Sequence, residues 1–129
     1  MPFIRLTLGA ELSPDRRNTL ARRATDLIVD ILGKRREVTA VLVETAADAS
    51  WLIGGEPAPR SPCHCEIAIT AGSNTPAEIA RMIAATSSLL REIPGSVPEA
   101  SYVVVRELPA GNWGYEGRTQ AARRQGGAP

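Results

Sequence analysis

Three sets of residues in this sequence have types and spacings that could do chemistry. The first is Cys63-His64-Cys65 in "PCHCEIAI", two thiols flanking the one imidazole of the chain. A disulfide across a single intervening residue is sterically awkward, and a metal ion would need ligands beyond these, although the chain has no other cysteine or histidine. The spacing therefore predicts no metal site but two reduced thiols on the buried face of a strand, as suits a reducing compartment. The second is Pro2, placed between Met1 and the short apolar alternation "FIRLTL", where a proline either merely starts a strand or serves another purpose. The third comprises Trp51 and Trp113, together with Arg106 at the end of the last expected strand, Arg118 after the "GYEG" turn and Arg5 on the polar face of the first strand. For each arginine a solvated surface position is the ordinary role, as it is for Arg16-Arg17 and Arg22-Arg23 on the polar side of a helix.

The whole chain limits what these residues can serve. At 129 residues it has the length of one domain. Lys and Arg number 15 against 14 Asp and Glu, so no global field attracts nucleic acid or an anionic membrane. No apolar run approaches the ~20 residues of a membrane span, and the opening residues lack a signal-peptide pattern. These features predict a cytoplasmic protein without nucleic-acid or membrane partners.

The elements that position the chemistry come from a repeat. At an offset of 62, "EVTAVLVETAADASWLIGGE" lies over "EASYVVVRELPAGNWGYEGR", so that Glu37 meets Glu99, Trp51 meets Trp113 and Gly55 meets Gly117. The same offset lays Ser13-Pro14 over Thr75-Pro76 and Gly33 over Gly95. Each copy reads strand, helix, strand. In the first helix Ser13 caps, Pro14 suits the first turn, Leu20, Ala24, Leu27, Ile28 and Ile31 form an apolar stripe, and Gly33 closes it. In the second, Thr75 and Glu78 make a capping box, Ile79, Met82, Ile83, Thr86, Leu90 and Ile93 form the stripe, and Pro94-Gly95 stops it.

"FIRLTL", "VTAVLVE", "CEIAIT" and "SYVVVRE" read as strands, and glycines after each tryptophan predict a small hairpin. Strands joined through a helix run parallel with a right-handed crossover. The fold class is therefore α/β (α+β): two tandem β-α-β units forming a four-stranded sheet with both helices on one face. Residues 1–118 make one domain of two repeats, 1–58 and 63–118, with a proline-rich linker at 59–62 and a tail at 119–129 that lacks periodicity and is expected to be partly disordered. Val41 to Val43 and Val103 to Val105 make the second strands apolar on both sides, which calls for cover on the face without helices and predicts oligomers.

The proline in second position, a β-α-β unit of this size and "WLIGGE" near its end together resemble the tautomerase superfamily, and the duplication resembles its fused branch of 4-oxalocrotonate tautomerase-like members, with cis-3-chloroacrylic acid dehalogenase and malonate semialdehyde decarboxylase as relatives. The resemblance covers Pro2 to Arg118 and implies that removal of Met1 leaves Pro2 as a free secondary amine acting as general acid/base, without a cofactor. Burial near cations lowers an amine's proton affinity and brings it closer to working pH. Because the second copy begins at Cys63-His64 inside the chain, the resemblance implies one working site per chain, and three fused chains would match the six units of the short-subunit hexamer as a homotrimer.

The same resemblance nominates Trp113 as the wall opposite Pro2, Arg118 as a carboxylate anchor and Glu116 as a carboxylate that could turn inward; Arg106 and Arg5 are the other possible anchors. Departures are equally informative. Leu12 and Thr39-Ala40 stand where the family has arginines, and the loop "TAGSNTP" offers Ser73 and Asn74 where fused relatives carry cations. Asn74 donates hydrogen bonds without charge, and charge-assisted bonds are roughly twice as strong, which weighs against dicarboxylate substrates. The leading expectation is keto-enol tautomerisation of a small 2-oxo acid or aryl-pyruvate, a small-molecule carboxylate substrate in either case. Hydration with dehalogenation, or decarboxylation, on the same scaffold is the alternative enzyme, and a non-catalytic binding or assembly protein is the third reading.

Overall fold

The computed structural model describes residues 2–46 and 50–125, so Met1 and the last part of the tail reading lie outside the described residues. In chain order the main elements are β1 (Phe3–Leu8), α1 (Pro14–Leu32), β2 (Ala40–Thr45), the hairpin β3 (Leu52–Ile53) and β4 (Glu56–Pro57), β5 (Cys63–Thr70), α2 (Pro76–Leu90), β6 (Tyr102–Leu108), the hairpin β7 (Gly114–Tyr115) and β8 (Arg118–Thr119), and α3 (Gln120–Gln125). Local sequence sets the helix limits. The Ser13 hydroxyl accepts the Arg16 N–H at 3.3 Å, and Gly33 closes α1 at a φ of 68°, a left-handed conformation that glycine adopts without strain. At α2 the capping box is complete: Thr75 Oγ1 accepts from Glu78 N at 3.1 Å while Glu78 Oε1 accepts from Thr75 N at 2.9 Å.

The sheet order is β2-β1-β5-β6. Each β-α-β unit contributes a parallel pair, and the two units join through antiparallel β1 and β5, where Phe3 lies opposite Ala68 and Arg5 opposite Glu66. Alternation then sorts the residues by face. Ile4, Leu6 and Leu8 of β1 share the core with Cys63, Cys65, Ile67 and Ile69 of β5, under both helices. From α1 this core receives Leu20, Ala24 and Ile28, and from α2 it receives Met82, Leu89 and Leu90. Both cysteines are reduced and buried on this face, as their spacing predicts.

Four details differ from the sequence expectations. β2 starts at Ala40 because Arg36–Val38 first form a 3-10 turn. Ile83 does not join the buried stripe: it is 37% exposed, and Leu89 takes a core position instead. The repeat offset of 62 stops short of the leading strands, because β5 runs one residue further, to Thr70, than the match of its burial pattern to β1 requires; matched by burial, Pro2 corresponds to Cys63 and Leu8 to Ile69. Finally, Gln120–Gln125 of the tail is helical. Its start is held by Gln120 N donating to Trp113 O at 2.9 Å and Ala121 N donating to Ala110 O at 2.8 Å. The first bond repeats the one from Ala58 N to Trp51 O in the other copy.

The face without helices carries Phe3, Leu42, Val104 and Tyr102, all exposed in the single chain, Tyr102 at 62%. Between them run two ion-paired groups, Arg5 with Glu44 at 2.7 Å and Glu66 with Arg106 at 3.4 Å. The bare face is thus apolar patches interleaved with neutralised charge.

Candidate functional site

The ring of Pro2 is fully buried on the helix side of the sheet, on the face shared with Ile4, Leu6 and Leu8. Its carbonyl accepts the Ala40 N–H at 3.3 Å, which ties the start of β1 to the start of β2. Topology brings four other segments to this end. A helix that crosses between parallel strands runs back along them, so α1 ends here, at Gly33-Lys34. β5, antiparallel to β1, also ends here, at Thr70, so α2 starts here; and β6 leaves for the β7–β8 hairpin and α3.

Between these segments lies a cavity of about 260 Å³. Lys34 and Arg35 line it after α1, Thr70 and Ser73 before α2, and Tyr115, Gln120, Arg123 and Arg124 on the C-terminal side. No carboxylate is among its lining residues. Lys34 is half-buried and donates to Ser73 Oγ at 2.8 Å. Burial pulls its pKa below the usual lysine value, and the positive charge of Arg124 adds to that against the opposing pull of Glu78. An anion beside Lys34 would favour its charged form.

Arg123 is the more enclosed cation, its side chain only 13% exposed. Its guanidinium stacks on the Tyr115 ring at 3.7 Å and donates to the Tyr115 carbonyl at 3.0 Å. Two buried donors here, Arg123 Nε and Gln120 Nε2, have no acceptor among the described residues. A buried donor left unpaired costs about 1–3 kcal/mol.

The residues nominated from sequence fall into separate places. Ser73 is in the cavity. Asn74 turns between the helices, donating to Leu32 O at 3.0 Å and to Glu78 Oε1 at 3.2 Å, and so links the end of α1 to the start of α2. Arg106 and Trp113 lie on the bare face at the same end of the sheet, in a second cavity of about 350 Å³ shared with Phe3, Arg5 and Glu66. Arg118 donates to Ala122 O at 3.2 Å and lines, with Trp113, a separate cavity of about 280 Å³ at the β7–β8 hairpin. Glu116, at the hairpin turn with φ 51°, is 84% exposed and 3.6 Å from Arg123. Sequence reasoning missed Lys34, Gln120 and Arg123. Lys34 had a usable signal, since the residue after the glycine cap of α1 must return to the end of the sheet where β1 begins. Arg123 and Gln120 had none beyond the tail's composition.

The profile of the family described as "Tautomerase enzyme" matches residues 2–58, the first repeat. The "Probable tautomerase K2" of Dickeya dadantii (strain 3937) is 32% identical over 57 residues, which span 43% of this chain and 85% of that protein. The chain belongs to the tautomerase family. Among solved tautomerase-fold structures, a native fused 4-OT is 26% identical with a TM-score of 0.84, over 93% of this chain and 97% of that one. A fused 4-OT described as a symmetric trimer has the same TM-score at 19% identity, again over 93% and 97% of the two chains. N1, a member of the cis-3-chloroacrylic acid dehalogenase family, reaches 0.81 at 20% identity, over 96% and 88%. Together they establish that the duplicated tautomerase fold extends over nearly the whole chain, beyond the repeat that the family profile matches.

Proposed function

We propose that this chain is a cofactor-independent tautomerase that interconverts the keto and enol forms of a small 2-oxo acid or aryl-pyruvate, with Pro2 as the proton carrier. The observation that carries this reading is the buried proline at the same end of the sheet as a cavity lined by Lys34, Arg123 and Arg124. With Met1 removed, Pro2 offers a secondary amine whose charged form is disfavoured by burial and by nearby positive charge, which leaves a larger fraction as free base near neutral pH. The amine takes a proton from the carbon next to the carbonyl and returns it to the oxygen. Lys34, held by its bond to Ser73 Oγ at 2.8 Å, takes the substrate carboxylate.

Glu116 and Arg118 would be needed for the hydration reading, yet neither lines the sheet-end cavity, which favours tautomerisation. The working particle is a homotrimer: the exposed apolar residues of the bare face support it, as does the trimeric fused 4-OT.

The test compares mass-verified protein with Met1 removed and retained, each assayed on phenylpyruvate at neutral pH. Turnover is expected only with the processed chain. Equal turnover by both would remove Pro2 from the mechanism.

A further inference from the structure

We propose that Lys34 is a nucleophilic amine that captures a short aldehyde as an imine in the sheet-end cavity. The proposal shares that cavity with the tautomerase reading above but does not rest on it.

Composition gives the first reason. Of the 15 Lys and Arg residues, Lys34 is the only lysine. A guanidinium stays protonated at ordinary pH and has no lone pair to offer a carbonyl carbon. Elsewhere this chain meets every need for positive charge with arginine, as at Arg35 next to it, so charge alone does not account for a lysine here. At the repeat offset of 62 the other copy has Ser96 in this place, so the ε-amine belongs only to the end of the sheet that carries Pro2.

Hydrogen bonding gives the second. Lys34 donates to Ser73 Oγ at 2.8 Å, which holds the long side chain in one place. The Ser73 hydroxyl gives its own proton to Thr70 O at 2.5 Å, so it accepts from Lys34 and has no proton to donate to it. A neutral Lys34 therefore keeps its lone pair. No carboxylate lines the cavity, and burial, aided by the charge of Arg124 and opposed by that of Glu78, enlarges the neutral fraction of the amine. Gly33, Val38 and Tyr115 supply uncharged wall within a volume of about 260 Å³, which has room for a short aldehyde.

The step balances without an oxidant or reductant. Lys34 Nζ adds to the carbonyl carbon, the carbon–oxygen bond breaks, and the oxygen leaves as water with the two protons of the neutral amine. A carboxylate ligand opposes the step, because it favours the charged ammonium. The cavity thus takes either an anion or an aldehyde.

Reductive trapping of the Met-processed protein with propanal and sodium cyanoborohydride at neutral pH tests this, with Nα-acetyl-lysine amide in the same solution as reference amine. Peptide mapping by mass spectrometry counts label on Lys34 and on Pro2 separately, since a secondary amine is also alkylated. Lys34 is expected to be propylated several-fold faster than the reference. Saturating butyrate should remove that excess while leaving the reference rate unchanged, and Lys34→Arg should retain only the Pro2 label. Labelling of Lys34 no faster than the reference, or an excess that butyrate leaves untouched, would overturn the proposal. Phenylpyruvate turnover by the untreated samples keeps the two readings apart: fast labelling without turnover leaves the imine and removes the catalytic assignment, whereas turnover without fast labelling does the reverse.

Discussion

At the end of the sheet where β1 begins, the cavity is flanked by Lys34, Val38 and Tyr115, with Gln120 and Arg123 of α3 at its side. At the opposite end, where β5 begins, a cavity of about 530 Å³ is flanked by Ala100, Ile53, Arg60 and Glu99. These are the same place in two copies of one unit: Val38 corresponds to Ala100 and Tyr115 to Ile53 at the repeat offset of 62. The backbones match down to the bond from residue 58 to Trp51 and from residue 120 to Trp113, both 2.9 Å. The side chains do not. Lys34 is replaced by Ser96, Gln120 by Ala58, and buried Pro2 by Cys63, whose thiol is pushed by burial up to about 12 and so stays protonated at neutral pH. Duplication preserved the scaffold at both ends and concentrated titratable and cationic groups at one, so packing and chemistry can be tested separately by changing paired positions.

The largest effect is expected from the pair Pro2 and Cys63. An added residue before Pro2 should lower turnover by the factor of about 10²–10⁴ that general acid–base catalysis supplies, while Cys63→Ser leaves kcat within about twofold. A comparable loss from Cys63→Ser, with the fold retained by circular dichroism, would mean that both ends take part. In the core the two copies should instead behave alike. Leu20 and Met82 are equivalent and both fully buried, so Leu20→Ala and Met82→Ala should each destabilise by about 2–5 kcal/mol in urea denaturation. A large inequality would show that one repeat supports the other.

Next comes Lys34 against Ser96. Lys34→Met should reduce kcat/KM on phenylpyruvate about 10- to 100-fold, the range of one lost charged hydrogen bond, and Ser96→Ala should leave it unchanged. The smallest effect concerns the helix starts, where Arg16 of α1 corresponds to Glu78 of α2. Hydrogen bonds from Thr75 and Asn74 hold the Glu78 carboxyl below the usual carboxylate range. Its contribution is therefore present above the ordinary carboxylate pKa and is lost as pH falls through the lowered folded value. Amide exchange in the first turn of α2 should accelerate between about pH 5 and pH 3 relative to the first turn of α1, and Glu78→Gln should remove the difference. An unchanged ratio would show that the box adds nothing measurable to α2.

Much of this architecture was readable because the signals are local. Ser13 and Gly33 bound α1, and Thr75 with Glu78 starts α2, through bonds that span only a few residues. The repeat itself revealed the pairing of units. The site was less readable, because its parts meet through the sheet's connectivity and not through sequence spacing. Asn74 has the composition of a binding loop residue, but its amide is drawn to Leu32 O, the open carbonyl at the end of α1, a group visible only once the helices are side by side. Arg123 lies in a stretch without periodicity, and its placement depends on stacking against Tyr115. Arg106 was legible as the end of a strand but not as a partner of Glu66, which requires the register of β5 against β6.

Because β1 and β5 run antiparallel, Pro2 and α3 arrive at one end of the sheet while the β3–β4 turn at Gly54-Gly55 sits at the other. Purification sequences are usually appended at whichever terminus is convenient, and here an extension before Pro2 would acylate the proline nitrogen. The Gly54-Gly55 turn is exposed and has positive φ at both residues, with open space around each. It is the position at which a label or surface tether can be inserted with the cavity's mouth left facing outward.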